Sequence, residues 1–148
     1  MHVPPLRRAW NGCSLGLLVF FALVPEVSAQ GPEYVKSHYT KYEYRIPMRD
    51  GKKLFTCVYA PKDQSVTYPI LITRTPYTVR PYGPDQYKDN LGPSPFFGKA
   101  GYIFVYQDVR GRWMSEGEFV NMRPQMDTKN GSGDVDESSD TWDTIEWL

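Results

Sequence analysis

The chain has 148 residues with 17 Lys and Arg against 17 Asp and Glu, so nothing in its charge points to nucleic acid or an anionic membrane surface. Two cysteines, Cys13 and Cys57, exclude a disulfide-stapled scaffold.

The first residues read as an export signal. Arg7 and Arg8 give a basic start, Leu15 to Val24 form an uncharged apolar run, and Val27-Ser28-Ala29 offers the small-x-small cleavage pattern. That run is about ten residues, half of the roughly 20 that span a bilayer as a helix. Cys13 precedes the run, so the pattern is not that of a lipoprotein. Residues 1–29 are therefore expected to be a signal peptide, with residues 30–148 secreted or periplasmic and free of the membrane after cleavage. Losing Arg7, Arg8 and Glu26 with the signal changes the charge balance by one. Cys57 is then left alone, inside an expected strand, and reads as a buried, inert thiol.

From Lys41 to Met48 the residues alternate, with Lys41, Glu43 and Arg45 on one face and Tyr42, Tyr44, Ile46 and Met48 on the other. This is the period of a half-buried strand. Asp50-Gly51 marks a tight turn and a second strand runs from Lys53 to Ala60, ended by Pro61. Tyr68 to Thr73 is a short apolar run, as expected of an interior strand covered on both faces. Arg80 to Ser94 is rich in Pro, Gly and Asp and reads as loop, with a short helix finishing near Phe96 to Ala100. Gly101 to Tyr106 is a second interior strand, closing on Gln107-Asp108-Val109-Arg110-Gly111. Met114 to Val135 has no period. From about Asp136 the pattern is helical: Ser138 or Ser139 can cap, Asp140 and Asp143 suit the positive end of the helix dipole, and Trp142, Ile145 and Leu148 share a face. The helix reaches Leu148 with no C-terminal cap and no following strand to cover that face, so the sequence is expected to be the N-terminal part of a longer chain.

Nucleophilic hydrolysis needs a serine on a Gly-x-Ser-x-Gly elbow, a histidine base and an acid. Gly12-Cys13-Ser14-Leu15-Gly16 has the glycines but lies in the expected signal peptide; in residues 30–148 no serine has glycines two before and two after it, and Gly92-Pro93-Ser94-Pro95-Phe96 has only the first. His38 lies ahead of the first strand and reads as a surface histidine. Asp134-x-Asp136-x-Ser138-x-Asp140 places oxygens at alternate positions, but a calcium loop from Asp134 lacks its glycine and has Ile145 where a bidentate acid belongs. These carboxylates read instead as the charged start of a helix, and neither a metal nor a cofactor is expected. Asp108 and Arg110, at a strand end, read as a turn-fixing ion pair beside a site wall that Trp113 could line. Tyr77 follows a strand and has two readings from the residues alone: a hydrogen-bond donor to a developing oxyanion, or a phenol in the mouth of the fold with its hydroxyl in water.

Three signatures occur in order: Ile46-Pro47-Met48-Arg49-Asp50-Gly51-Lys52-Lys53-Leu54, Thr73-Arg74-Thr75-Pro76-Tyr77, and Gln107-Asp108-Val109-Arg110-Gly111-Arg112 followed by Ser115-Glu116-Gly117. Together they resemble the N-terminal catalytic segment of the X-Pro dipeptidyl-peptidase-like serine hydrolases, the cocaine-esterase type included. Asn121-Met122-Arg123-Pro124 and the stretch from Asp136 to Leu148 are most similar to the α-amino-acid ester hydrolases. The resemblance implies an α/β fold, the N-terminal part of an α/β-hydrolase whose mixed sheet begins with an antiparallel hairpin and continues in parallel strands. It implies a serine elbow about 15 to 20 residues past Leu148 by usual loop and strand lengths, and Tyr77 as the catalytic oxyanion-hole donor. The implied activity is cleavage of small esters or amides, α-amino-acid esters foremost, through an acyl-enzyme, with the segment alone inactive. The alternatives are an X-Pro dipeptidyl peptidase or a non-catalytic truncated interaction module. The expected partners are a small ester or short peptide substrate and, for the full-length chain, further copies of itself in a homo-oligomer.

Overall fold

The structure is a computed structural model that describes residues 31–148. The expected signal, residues 1–29, lies outside the described residues. The elements in chain order are α1 (Pro32–His38), β1 (Tyr39–Pro47), β2 (Lys53–Pro61), β3 (Ile70–Thr75), α2 (Pro95–Lys99), β4 (Ile103–Asp108) and α3 (Glu137–Trp147).

β1 and β2 pair antiparallel from Tyr39 opposite Pro61 to Pro47 opposite Lys53. Their turn closes through Gly51 N donating to Met48 O at 2.8 Å, with Gly51 at φ 82°, a conformation that a residue without Cβ adopts freely. β2 pairs antiparallel with β4, and β4 pairs parallel with β3, giving the order β1-β2-β4-β3. The mixed sheet expected from the sequence is thus present. One of its strands sits differently from the expectation: β3 is the edge of this four-stranded sheet, and Ile70 is 49% exposed. Its apolar run matches the composition of an interior strand, but among the described residues only β4 pairs with it.

The two faces of the sheet carry different chemistry. On one face Tyr39, Phe55, Cys57, Tyr59 and Phe104 form the apolar core with Val35 of α1 and with Val79 and Leu91 of the long loop. α1 is an element that the alternation of β1 did not announce. The same face holds Lys41, which belongs to the set expected to face solvent. Its side chain is fully buried: Nζ donates to the carbonyls of Pro81, Gly83 and Gln86 at 2.7, 2.8 and 2.9 Å and pairs with Glu43 at 2.8 Å. A cation that satisfies three carbonyls folds the 81–86 loop over the sheet, so a residue read as surface is the loop's internal support. Cys57 is buried with its thiol pushed up to about 12, chiefly by burial, and so stays protonated and inert as expected.

The other face is covered by α3, through polar contacts. Gln107 Nε2 donates to Thr56 Oγ1 at 3.0 Å and to Thr144 Oγ1 at 2.8 Å, while Gln107 Oε1 accepts from Arg74 Nε at 2.7 Å. Arg74 Nη1 reaches the Glu137 carboxylate and Thr141 Oγ1, both at 2.8 Å. The face expected to be buried is the exposed one: Trp142, Ile145 and Leu148 are 61%, 56% and 41% exposed, whereas Ser139, Asp140 and Thr144 are buried. Periodicity located an apolar stripe but not which stripe meets this sheet.

The cap of α3 is Asp136, two or three residues earlier than the expected Ser138 or Ser139. Asp136 accepts from Ser139 N at 2.8 Å, and Ser139 Oγ accepts from Asp136 N at 2.8 Å, a reciprocal capping box. Burial would raise the Asp136 carboxyl, but Lys129, Met126 N and Ser139 N together hold it well below the usual carboxylate range. Asp136→Ala is therefore expected to cost about 1–2 kcal/mol in urea titration at neutral pH. The sign follows from the depressed value: the contribution is full above roughly pH 4, the unfolded range, and fades as pH falls below it. The variant should show a smaller stability difference from the parent at pH 3 than at pH 7.

Candidate functional site

The parallel strands β3 and β4 end side by side, with Thr75 in register with Asp108. In α/β sheets this carboxyl edge is where ligands bind. Two loops leave it, one running Pro76-Tyr77-Thr78-Val79 and the other Val109-Arg110-Gly111-Arg112-Trp113. Pro76 O ties them together by accepting from Arg112 Nε and Trp113 Nε1, both at 3.0 Å. The Arg112 guanidinium lies over the rings of Trp113 and Phe119 at 5.7 and 4.9 Å from their centroids, and that of Arg80 over Trp113 at 5.6 Å. Trp113 therefore stands in the wall next to the tyrosine loop, half exposed.

Tyr77 is the most open residue of this edge. It is 81% exposed, its N–H donates to Thr75 Oγ1 at 3.1 Å, and its hydroxyl has no partner among the described residues. The next residue, Thr78, has φ 133°, which is rare for a β-branched side chain. Val79 then turns back into the core.

Asp108 and Arg110 do not pair with each other as the sequence suggested. The Asp108 carboxylate accepts from Val79 N at 3.0 Å, Tyr82 Oη at 2.9 Å and Met114 N at 3.5 Å. Burial raises its carboxyl, against hydrogen bonds from Tyr82, Met114 and Val79 that lower it. Arg110 instead makes two forked contacts. Its Nε and Nη2 donate to Asp140 at 3.0 and 2.6 Å, and its Nη1 and Nη2 donate to Asp50 at 2.6 and 3.2 Å. Strand alternation alone would keep residues two apart on one face, but β4 ends at Asp108 and the chain turns at 109–112, with Arg112 N donating to Val109 O at 3.0 Å, so Asp108 faces the 76–82 loop while Arg110 reaches α3. Asp140, expected to serve the helix dipole, is Arg110's main partner, and Asp143 likewise pairs with Arg49 at 2.8 Å.

The rest of the third signature is explained by close packing. Gly111, at φ 69°, leaves no room for a Cβ against the Phe119 backbone N. Ser115 Oγ donates to Asp108 O at 2.6 Å and accepts from Phe55 N at 2.8 Å, and Glu116 N donates to Lys53 O at 3.0 Å. The Ser-Glu-Gly segment thus continues the pairing of β2 beyond the end of β4.

His38 ends α1, stacked on Tyr34 with ring centroids 4.1 Å apart, and is exposed. It lies at the sheet end opposite Tyr77, since Tyr39 is in register with Pro61 and the β2–β4 register runs from Tyr59 to Thr56 toward the Asp108 end. Among the described residues, no group of three or more His, Cys, Asp or Glu is placed to hold a metal ion. Asp134 is occupied by Asn130 N and Gly131 N, and Asp136 and Asp140 by the cap and Arg110.

Comparison with known proteins places this edge in a family. The X-Pro dipeptidyl-peptidase (S15 family) profile matches residues 50–148, which include Tyr77 and the whole Asp108–Trp113 loop. The chain belongs to this family. Over 105 residues it is 34% identical to the cocaine esterase of Rhodococcus sp. (strain MB1 Bresler), covering 70% of this chain and 15% of that protein. Among solved structures it resembles an α-amino acid ester hydrolase at 36% identity and TM-score 0.60, covering 85% of this chain and 21% of that one. It also resembles an aminopeptidase from a marine sediment archaeon, Thaumarchaeota archaeon, at 36% identity and TM-score 0.58, covering 75% of this chain and 19% of that one. The chain therefore spans about a fifth or less of the length of these relatives. The family, and the α/β-hydrolase start of its fold, are as the ordered signatures implied.

Proposed function

We propose that this segment begins the catalytic domain of an exported serine hydrolase that cleaves esters or amides of small acyl groups, α-amino-acid esters foremost, through an acyl-enzyme. Tyr77 supplies the hydroxyl of its oxyanion hole. The observation that carries the proposal is Tyr77 itself: an unpartnered phenol at the carboxyl edge of parallel strands, inside the region matched by the family. An oxyanion donor must be free in the resting protein and fixed in place by its backbone, because only a preorganised donor stabilises charge that develops in the transition state. The matches to a cocaine esterase and an amino acid ester hydrolase support ester substrates. The family description and the archaeal aminopeptidase favour a second reading, cleavage of amides after an X-Pro dipeptide.

Residues 30–148 hold no Gly-x-Ser-x-Gly pattern, so hydrolysis by this proposal requires the nucleophile, histidine and acid of the full-length protein. The test is turnover by that protein of an α-amino-acid methyl ester beside an X-Pro nitroanilide. Fast release of alcohol with an acyl-enzyme burst is expected. Preference for the nitroanilide would select the peptidase reading, and no turnover of either would leave a non-catalytic interaction module.

A further inference from the structure

Tyr77 has no packing of its own to hold it, so its position is set by the backbone on either side. Upstream, Pro76 O is fixed by Arg112 and Trp113. Downstream stands Thr78 at φ 133°, a conformation that a β-branched residue keeps only when its surroundings over-determine it. Those surroundings converge on one carboxylate. Asp108 Oδ1 accepts from Val79 N at 3.0 Å and Oδ2 accepts from Tyr82 Oη at 2.9 Å; Tyr82 Oη lies 3.0 Å from Thr78 Oγ1, which also accepts from Arg80 N at 3.2 Å.

The proton order of this chain is determined. A phenol has one proton, and Tyr82 gives it to Asp108, so the Thr78 hydroxyl must donate to Tyr82 Oη while accepting from Arg80 N. Asp108 is fully buried, and among the described residues no cation forms an ion pair with it. A carboxylate in that position is costly, and a neutral acceptor would satisfy Val79 N alone. What only a carboxylate supplies is acceptors on both oxygens, for Val79 N on one side and for Tyr82 Oη and Met114 N on the other. Asparagine would turn an N–H toward the Met114 N–H.

We propose that Asp108 is a positioning residue for the hydrolysis: by holding Val79 and Tyr82 it fixes the strained Thr78 backbone that aims Tyr77 at the oxyanion. This rests on the oxyanion reading of Tyr77 given above. Asp108 touches no substrate and acts through Tyr77, which separates it from a residue that merely supports the fold.

The experiment is a double-mutant cycle in the full-length protein, with kcat and KM measured on an α-amino-acid ester for Tyr77→Phe, Asp108→Asn, Tyr82→Phe and the two pairs that include Tyr77→Phe. Asp108→Asn is expected to lower kcat about tenfold or more with KM nearly unchanged, and Tyr82→Phe to lower it by less. On the Tyr77→Phe background both should cost little further, because the group they aim is already gone. Loss of the same factor in both backgrounds, or an unchanged kcat in Asp108→Asn, would overturn the positioning role. A slow Tyr77→Phe beside a normal Asp108→Asn removes this inference alone, whereas an unimpaired Tyr77→Phe removes the oxyanion reading and this inference with it. Should Asp108→Asn fail to fold, Tyr82→Phe carries the same cycle: a loss of kcat that vanishes on the Tyr77→Phe background supports the role, and one that persists, or no loss, overturns it.

Discussion

Arg110→Met is expected to lose about 3–5 kcal/mol of stability, a large part of the 5–15 kcal/mol typical of a folded domain. Arg110 is 4% exposed and joins the β1–β2 turn, through Asp50, to α3, through Asp140. Removing it leaves two carboxylates, one of them 1% exposed, facing each other without their cation. The nearest remaining charge is Arg74 Nη2, 3.7 Å from Asp140 and without a hydrogen bond of its own. Urea unfolding should show the loss, and Arg110→Met with Asp140→Leu should recover much of it, since an apolar pair needs no compensation. Acid adds a check. Burial would raise the Asp50 carboxyl, but Arg110 and the Lys52 N–H outweigh that and lower it. Its contribution is therefore present above roughly pH 4 and lost as pH falls below, and the variant should lack that part of the acid limb.

Tyr77→Phe is expected to slow the full-length enzyme by about 10²- to 10³-fold in kcat, the cost of one oxyanion donor. KM should change little, because the donor meets its charge only in the transition state. Stability should stay within about 0.5 kcal/mol, as the side chain is 81% exposed and its hydroxyl is unpartnered among the described residues. The combination separates the two readings that the residues left open. A phenol wetted in the mouth of the fold would leave both kcat and stability unchanged. Single-turnover measurement of acylation gives the clearest readout, since it excludes a change in product release.

The strands were legible because alternation and apolar runs report the period of a sheet directly, and all four fall within about two residues of where Tyr42, Phe55, Leu71 and Val105 suggested. The carboxyl edge holding Tyr77 and Asp108 was legible for the same reason, since both follow apolar runs. What the sequence did not reveal is who pairs with whom. Lys41 looked solvated because a lysine in alternation normally is, and only the three carbonyls of a loop 40 residues away make its burial affordable. Asp108 and Arg110 looked like partners because they are two apart and oppositely charged. Apart from Met114, their real partners, Val79, Tyr82, Asp50 and Asp140, are 26 to 60 positions distant. Helix α3 shows the same limit, for its apolar stripe was visible, yet the row Thr56, Gln107 and Arg74 that binds its polar side exists only once three strands are in register.

The strain at Thr78 was equally invisible, since no residue type there signals a positive φ. It is the feature that connects the buried frame to the exposed phenol. Arg110 and Asp50 lock the turn to the helix, Asp108 locks the two loops at the strand ends, and Tyr77 projects from between them.

The role proposed for Tyr77 can be seen directly in a crystal structure of the full-length protein carrying a tetrahedral phosphonate adduct on the proposed serine nucleophile. Tyr77 Oη is expected at about 2.7–3.1 Å from the phosphonyl oxygen, with Thr78 still at positive φ. A Tyr77 hydroxyl facing solvent, with another side chain donating to that oxygen, would contradict it.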